Sequence, residues 1–128
     1  MNKKLISTGA IFGMIAIILG AFGAHALKKI LSIEALSSFE TGVKYQMYHA
    51  LFLILIATVK ELSEKAKNTI YNLVVLGVVF FSGSIYLLTT KNITAIDFKP
   101  IGMITPIGGL LLIGAWGVLF YTIAKKNS

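Results

Sequence analysis

Four long stretches of this chain contain no Asp, Glu, Lys or Arg, and short charged segments separate them. The four windows cover residues 5–27, 45–59, 68–90 and 100–124. A helix needs about 20 mostly apolar residues to cross the roughly 30 Å hydrocarbon layer of a bilayer. Three windows reach that length directly, and the second needs a few more residues. The pattern therefore predicts an all-α membrane protein, a bundle of four transmembrane helices.

The second span is predicted to begin well before its uncharged window. Apolar residues recur at helical spacing ahead of it, and Glu40 precedes Lys44 by four residues. We expect a helix that begins near Ser32, lies first in the interface as a short amphipathic helix and then crosses, with Lys44 reaching back to the interface. The spans are predicted at about 5–27, 42–60, 69–90 and 101–124, in a single integral membrane domain of residues 1–128.

The lysines change this picture only by suggesting an orientation. Twelve lysines and five acids give a net charge of +7, and the lysines stand beside the windows as interfacial anchors, not on one face as in a nucleic-acid-binding protein. With four spans, the side of the termini carries seven lysines and the other side five, so both termini are predicted to be cytoplasmic. The start of the chain is also typical of a cleaved signal peptide, but its window is longer than a usual signal core, so we expect a retained helix.

Small residues and helix breakers indicate how the helices pack. In lipid, stripes of small residues mark faces where helices approach closely. The helix-packing stripe predicted on the first helix consists of Gly9, Gly13, Ala16, Gly20 and Ala24. In the fourth span, a helix kink or short unwound segment is predicted at Pro106, Gly108 and Gly109. The aromatics Tyr71, Trp116 and Tyr121 are interpreted as interfacial anchors.

Polar side chains of different spans are predicted to meet in one half of the membrane. The spans alternate in direction, so the ends of the first and third lie beside the starts of the second and fourth. An unpaired polar group in hydrocarbon costs several kcal/mol, which favours convergence. The predicted intramembrane cluster, a possible ligand or proton site, contains His25, Glu40, Tyr45, Gln46, His49, Ser82, Ser84, Tyr86 and Thr105.

Two interpretations of this cluster stay open. It is either a hydrogen-bonded clasp between helices, or a site at which His25 and His49 take up a proton or bind a metal or a polar lipid headgroup. A zinc site needs three or four ligands, and Glu40 is the one further candidate, so no metal site is predicted. No cofactor is expected either. The chain has no cysteine, which excludes disulfides and thiolate chemistry.

Catalytic motifs are absent from the sequence. It contains no nucleophile elbow, HExxH, phosphate loop or dinucleotide fingerprint. We therefore expect no enzyme and no catalytic residues, although a lipid-modifying hydrolase built on Ser82 or Ser84 with His49 is a formal alternative.

Two segments resemble a known family. Residues 20–27, GAFGAHAL, and residues 39–51, FETGVKYQMYHAL, are similar to the small bacterial membrane proteins called domain of unknown function 423, as are the stretches 82–86 and 105–109. The resemblance covers the whole chain. It implies a four-span protein of the bacterial inner membrane, and it supplies no catalytic or ligand residues.

Together these observations predict a non-enzymatic membrane protein that supports membrane integrity or envelope homeostasis. It would act by packing against lipid, against itself as a homo-oligomer, or against another membrane protein, and not against nucleic acid. The alternative is a small proton- or metal-linked transporter or sensor that uses His25 and His49.

Overall fold

A computed structural model of the chain describes residues 1–90 and 102–126. Lys91 and Lys99, which entered the orientation argument, and the beginning of the fourth predicted span lie outside the described residues. The described part is almost entirely helical and contains no strand, so the all-α prediction is confirmed.

Five α-helices follow one another along the described chain. Helix α1 is followed by a 3₁₀ turn, and α3 continues through a π-helical segment into α4 without a break. The bounds are α1 Asn2–His25, the 3₁₀ turn Leu27–Lys29, α2 Ile33–Thr58, α3 Glu64–Val78, the π segment Val79–Gly83, α4 Ser84–Thr89 and α5 Ile104–Lys126. We call the continuous α3, π segment and α4 the rod.

Three helical segments are long and apolar enough to cross a membrane. They are Asn2–Lys29, Glu64–Thr89 and Ile104–Lys125. Helix α2 has 26 residues, which is about 39 Å of helix, but polar side chains such as Gln46 and His49 make it less apolar. The described residues therefore contain three candidate spans and one further helix of spanning length.

The second and third helices begin at serine caps. Ser32 Oγ accepts a hydrogen bond of 3.1 Å from the amide of Ala35, and Ser63 Oγ accepts one of 3.1 Å from the amide of Ala66. Such caps satisfy amides that have no partner within the helix. The predicted start near Ser32 is confirmed, and α2 runs on unbroken from there. The amphipathic segment is therefore the first part of α2 and not a separate helix.

Helices α1 and α2 pack closely because small residues line their contact. A Cβ on Gly9 would lie 2.7 Å from the carbonyl oxygen of Ala50, and one on Gly20 would lie 3.5 Å from Val43. Ala16 is fully buried between them. Four residues of the predicted stripe, Gly9, Gly13, Ala16 and Gly20, thus have their place on the α2 side of α1.

The last residue of the predicted stripe is misplaced. Ala24 is exposed, and Gly23 is buried against the ring of Phe39 at 3.2 Å. Steps of four, three, four and three keep a stripe on one side of a helix that packs along its neighbour, because their mean is 3.5 residues. The predicted final step of four residues moves Ala24 off that side, so the contact continues through Gly23.

Helix α5 packs against the rod, and it is one uninterrupted α-helix without the unwound segment expected at Pro106. Pro106 is the third residue of α5, where an amide has no helical partner to lose, so α5 continues regularly to Lys126. The irregular segment lies opposite, at Val79–Gly83. Gly108 faces it so closely that a Cβ on Gly108 would overlap the backbone of Phe80 and Phe81.

The end of the molecule that holds the amino terminus is joined by polar contacts around an apolar core. The buried Lys67 donates from Nζ to Asn2 Oδ1 at 2.9 Å, and Tyr71 and Thr8 share a hydrogen bond of 3.0 Å. These contacts tie α1 to α3. The apolar core beside them includes Leu5, Phe52, Leu53, Ile56, Ile70, Val74, Leu112 and Ala115.

Candidate functional site

Gln46 joins three helices in the interior of the protein. It is 4% exposed; its Nε2 donates to the carbonyl oxygen of Phe12 in α1 at 2.8 Å, and its Oε1 accepts from the Tyr86 hydroxyl in α4 at 2.7 Å. Tyr86 fits there because Gly42 has no side chain: a Cβ on Gly42 would lie 2.9 Å from the Tyr86 ring. One amide side chain therefore uses both of its polar atoms between helices.

Two serines hold the π segment in place. Ser82 is 1% exposed and donates to the carbonyl oxygen of Gly42 in α2 at 2.7 Å. A π-helical turn interrupts the regular backbone hydrogen bonds, and Ser84 Oγ donates to the carbonyl oxygen of Phe81 at 3.0 Å. The hydroxyls of Ser84 and Thr105 also share a hydrogen bond, which fixes the start of α5 to the rod.

His49 has both ring nitrogens occupied. Its Nδ1 lies 2.7 Å from the carbonyl oxygen of Tyr45, which can only accept, so Nδ1 carries the proton. Its Nε2 then accepts from the indole N–H of Trp116 at 3.1 Å. Phe52 packs on the Trp116 ring with centroids 4.1 Å apart. The geometry assigns a neutral histidine that bridges α2 and α5.

A cavity of about 350 Å³ lies beside this bridge, between α2, the π segment and α5. Thr41, Tyr45 and His49 contribute its polar groups at steps of four residues along α2, and the remaining wall is apolar. The exposed Tyr45 ring packs against Phe81 with centroids 5.1 Å apart. The cavity can accommodate an apolar group with a few polar atoms at one side.

Two members of the predicted cluster lie away from it. His25 and Glu40 are both exposed. Gly13 lies beside Ala50, one residue after His49, and His25 is roughly 18 Å further along α1 at about 1.5 Å per residue. The structure therefore does not pair the two histidines. It joins Tyr86 to Gln46 and Ser84 to Thr105. It also binds Ser82 to the Gly42 carbonyl and His49 to Trp116, with Tyr45 at the edge of the cavity.

The arrangement favours hydrogen bonding over metal binding. Within residues 1–90 and 102–126, no group of three or more His, Asp or Glu side chains is placed to hold a metal ion. Over the same residues, every fully buried side-chain nitrogen or oxygen has a hydrogen-bond partner. The buried polar side chains of these residues therefore hydrogen-bond helices to one another.

The partner of His49 was not predicted from the sequence. Trp116 was interpreted as an interfacial anchor, but it lies in the middle of α5, Ile104–Lys126. An indole N–H at that depth needs an acceptor, and that requirement could have connected it with His49. The backbone acceptors at Phe12 and Gly42 gave no signal in the sequence, because every residue has a carbonyl group.

Comparison with known proteins gives one consistent result. The family model described as "Protein of unknown function (DUF423)" matches residues 19–109. A UPF0382 membrane protein of Staphylococcus haemolyticus is 43% identical over 123 residues, which is 96% of this chain and 97% of that protein. A UPF0382 membrane protein of Bacillus subtilis is 38% identical, over 96% of this chain and 98% of that protein. One of Haemophilus influenzae is 34% identical, over 100% of this chain and 99% of that protein. No solved structure matches the chain. The chain therefore belongs to the DUF423 family of membrane proteins of unknown function.

Proposed function

We propose that this protein is a non-enzymatic structural component of the bacterial cell membrane that supports membrane integrity or envelope homeostasis. One observation carries the proposal: the buried polar side chains use their hydrogen bonds to join helices. Gln46, Ser82 and His49 each bind a different helix or segment. Such bonds contribute about 0.6–2 kcal/mol each within a bilayer. We call this set the polar clasp.

The alternative, a proton- or metal-linked transporter or sensor, has less support. It requires a histidine with an available nitrogen, and both nitrogens of His49 are occupied. This alternative also requires His25 as a second proton- or metal-binding side chain, and His25 lies far from His49 along the bundle. The cavity beside His49 is the feature that favours this alternative, because a ligand there could compete with Trp116 for Nε2.

Replacement of His49 distinguishes the structural function from the transporter or sensor function. If it belongs to the clasp, His49→Leu lowers the free energy of unfolding by about 1–3 kcal/mol, because the Trp116 N–H loses its acceptor. His49→Gln keeps an acceptor and should cost less, and His25→Gln, at an exposed position, should cost little. Thermal unfolding of the protein in lipid nanodiscs, with and without added Zn²⁺, measures this. A zinc-dependent rise in the wild-type melting temperature that His49→Gln removes would favour the transporter or sensor.

We further propose that α2 is the fourth span and that both termini are cytoplasmic. The residues that make α2 less apolar are turned inward: Gln46 and His49 are buried, and Leu51 and Leu55 are exposed. A helix with this arrangement presents apolar side chains to lipid although its mean hydropathy is lower. The lysine distribution supports the orientation.

Cysteine labelling tests this topology cleanly, because the natural chain has no cysteine. Lys28 precedes α2 and Lys60 follows it, and both are exposed. In the four-span arrangement, a membrane-impermeant maleimide added to intact spheroplasts should label Lys28→Cys and should label Lys60→Cys only after permeabilisation. Labelling of both variants in intact spheroplasts would show that α2 does not cross.

Self-association, or association with another membrane protein, is part of the same proposal. The small-residue stripe of α1 is used by α2 and is not available to a second chain. The outer face of α5 has no such neighbour: Gly117 has no atom within 4 Å of its Cβ position, and Ile113 and Phe120 beside it are exposed. This face supports the proposed oligomer contact.

A further inference from the structure

A groove of about 620 Å³ lies between the beginning of α3 and the end of α5, away from the polar clasp. It contains two ammonium groups and four hydroxyl groups, and the described residues that line it include no carboxylate. The polar lining residues are Ser63, Lys65, Thr69, Tyr121, Thr122 and Lys125.

The neighbouring charges on α3 are turned away from this groove. Glu64 lies 3.5 Å from the amino terminus of Met1, and Lys67 is buried against Asn2, so both face α1. Lys65 is thus the charged residue that α3 contributes to the groove. The groove has a positive charge from each of two helices, which makes it complementary to an anion.

The ammonium group of Lys125 is held beside the groove by an aromatic ring. Its Nζ lies 5.6 Å from the centroid of the Tyr121 ring, within the range of a cation–π contact. On the opposite wall, Ser63 Oγ accepts from the Ala66 amide, so the hydroxyl proton of Ser63 can still be donated outward. Donors therefore converge on the groove from both helices.

The position of the groove identifies the kind of anion. Helix α3 begins and α5 ends here, and both belong to segments long and apolar enough to span, so the groove lies at a membrane surface. Val118 and Ala66 give its wall an apolar part. A phosphate group joined to an acyl chain meets both features, whereas a soluble anion uses only the charged one. Basic pockets between membrane helices bind anionic headgroups in this way.

We propose that this groove binds the headgroup of an anionic phospholipid, with Lys65 and Lys125 on the phosphate and the hydroxyls of Ser63, Tyr121 and Thr122 on the remaining oxygens. The site is separate from the polar clasp, so the two proposals can fail independently. An anionic phospholipid is also a partner that the proposed structural function alone does not specify.

Lipid titration of the purified full-length protein in a neutral detergent tests the proposal by native mass spectrometry. Wild type should retain phosphatidylglycerol in preference to phosphatidylcholine with the same acyl chains. K65Q/K125Q should weaken phosphatidylglycerol binding by about 30-fold, which corresponds to about 1 kcal/mol for each lysine near a membrane surface. The matched control is K3Q/K60Q, which removes the same charge from exposed lysines that do not line the groove. Because solvent and salt screen charges outside the groove, this variant should change binding by less than about three-fold.

Three results would overturn the site. They are equal retention of both lipids by the wild type, equal weakening in both double variants, and displacement of phosphatidylglycerol by inorganic phosphate at similar concentration. The last result would assign the groove to a soluble anion. The wild-type comparison of the two lipids needs no variant, so the proposal can be tested even if K65Q/K125Q does not fold.

Discussion

Replacing Gly108 by alanine should lower the free energy of unfolding by about 3 kcal/mol or more. A Cβ at this position would overlap the backbone of Phe80 and Phe81, in the π segment that faces α5. A side chain in the way could rotate aside, but these backbone atoms are held by the helical hydrogen bonds on either side. The rod and α5 would have to separate, which would also stretch the Ser84–Thr105 contact.

Two glycines of the same helix provide matched controls. A Cβ on Gly109 would be 3.7 Å from the Phe81 ring, an ordinary contact, and one on Gly117 would meet nothing within 4 Å. Alanine is the better helix former by about 1 kcal/mol, so Gly109→Ala and Gly117→Ala should be neutral or slightly stabilising. Unfolding by SDS in mixed micelles, followed by the fluorescence of the single tryptophan, compares all three. Equal stability of Gly108→Ala and Gly117→Ala would mean that α5 and the rod are not in backbone contact.

The second large effect is expected at Gln46. Gln46→Leu removes two hydrogen bonds and leaves the Tyr86 hydroxyl without its acceptor, and we expect a loss of about 2–4 kcal/mol. Tyr86→Phe removes only one of these bonds and should cost less. The double variant should cost less than the sum of the two single variants, because the phenylalanine ring has no hydroxyl to leave unpaired.

A double-mutant cycle on these two residues measures the coupling. For an interhelical hydrogen bond in lipid we expect about 0.6–1.7 kcal/mol. Leu51→Ala, at an exposed position of the same helix, is a suitable control and should be nearly additive with Tyr86→Phe. Additivity of Gln46→Leu and Tyr86→Phe would show that these side chains do not interact and would remove the main support for the polar clasp.

The sequence pattern predicts where the helices lie better than it predicts the contacts between them. The apolar windows and the helical spacing of apolar residues ahead of the second window were enough to predict where helices occur, because periodicity and hydropathy are local properties. Pro106 was interpreted as a kink because its place within the helix was unknown. In the first turn of α5 the same residue is harmless, and the irregular turn appears at Val79–Gly83 instead.

The candidate site was predictable in composition but not in pairing. Depth in the bilayer placed Gln46, Ser82 and Tyr86 in one region, since the direction of each helix fixes the level of its residues. In the structure Tyr86 donates to Gln46, and Ser82 donates to the Gly42 carbonyl, about one helical turn before Gln46. The same criterion included His25, because it grouped residues by half of the membrane and not by their exact level in the bundle. Which groups hydrogen-bond depends on how each helix is rotated, and a single sequence carries little information about that rotation.

The helices form two hairpins, α1 with α2 and the rod with α5, and several polar contacts cross from one hairpin to the other: Gln46–Tyr86, Ser82–Gly42, His49–Trp116 and Lys67–Asn2. In the proposed four-span arrangement, the ribosome delivers the first hairpin to the bilayer before the second exists. During that interval Gln46 Oε1 and His49 Nε2 lack the donors that Tyr86 and Trp116 supply in the complete bundle. Because an unpaired polar atom in hydrocarbon is costly, the first hairpin alone is expected to be less stable in the bilayer than the complete bundle.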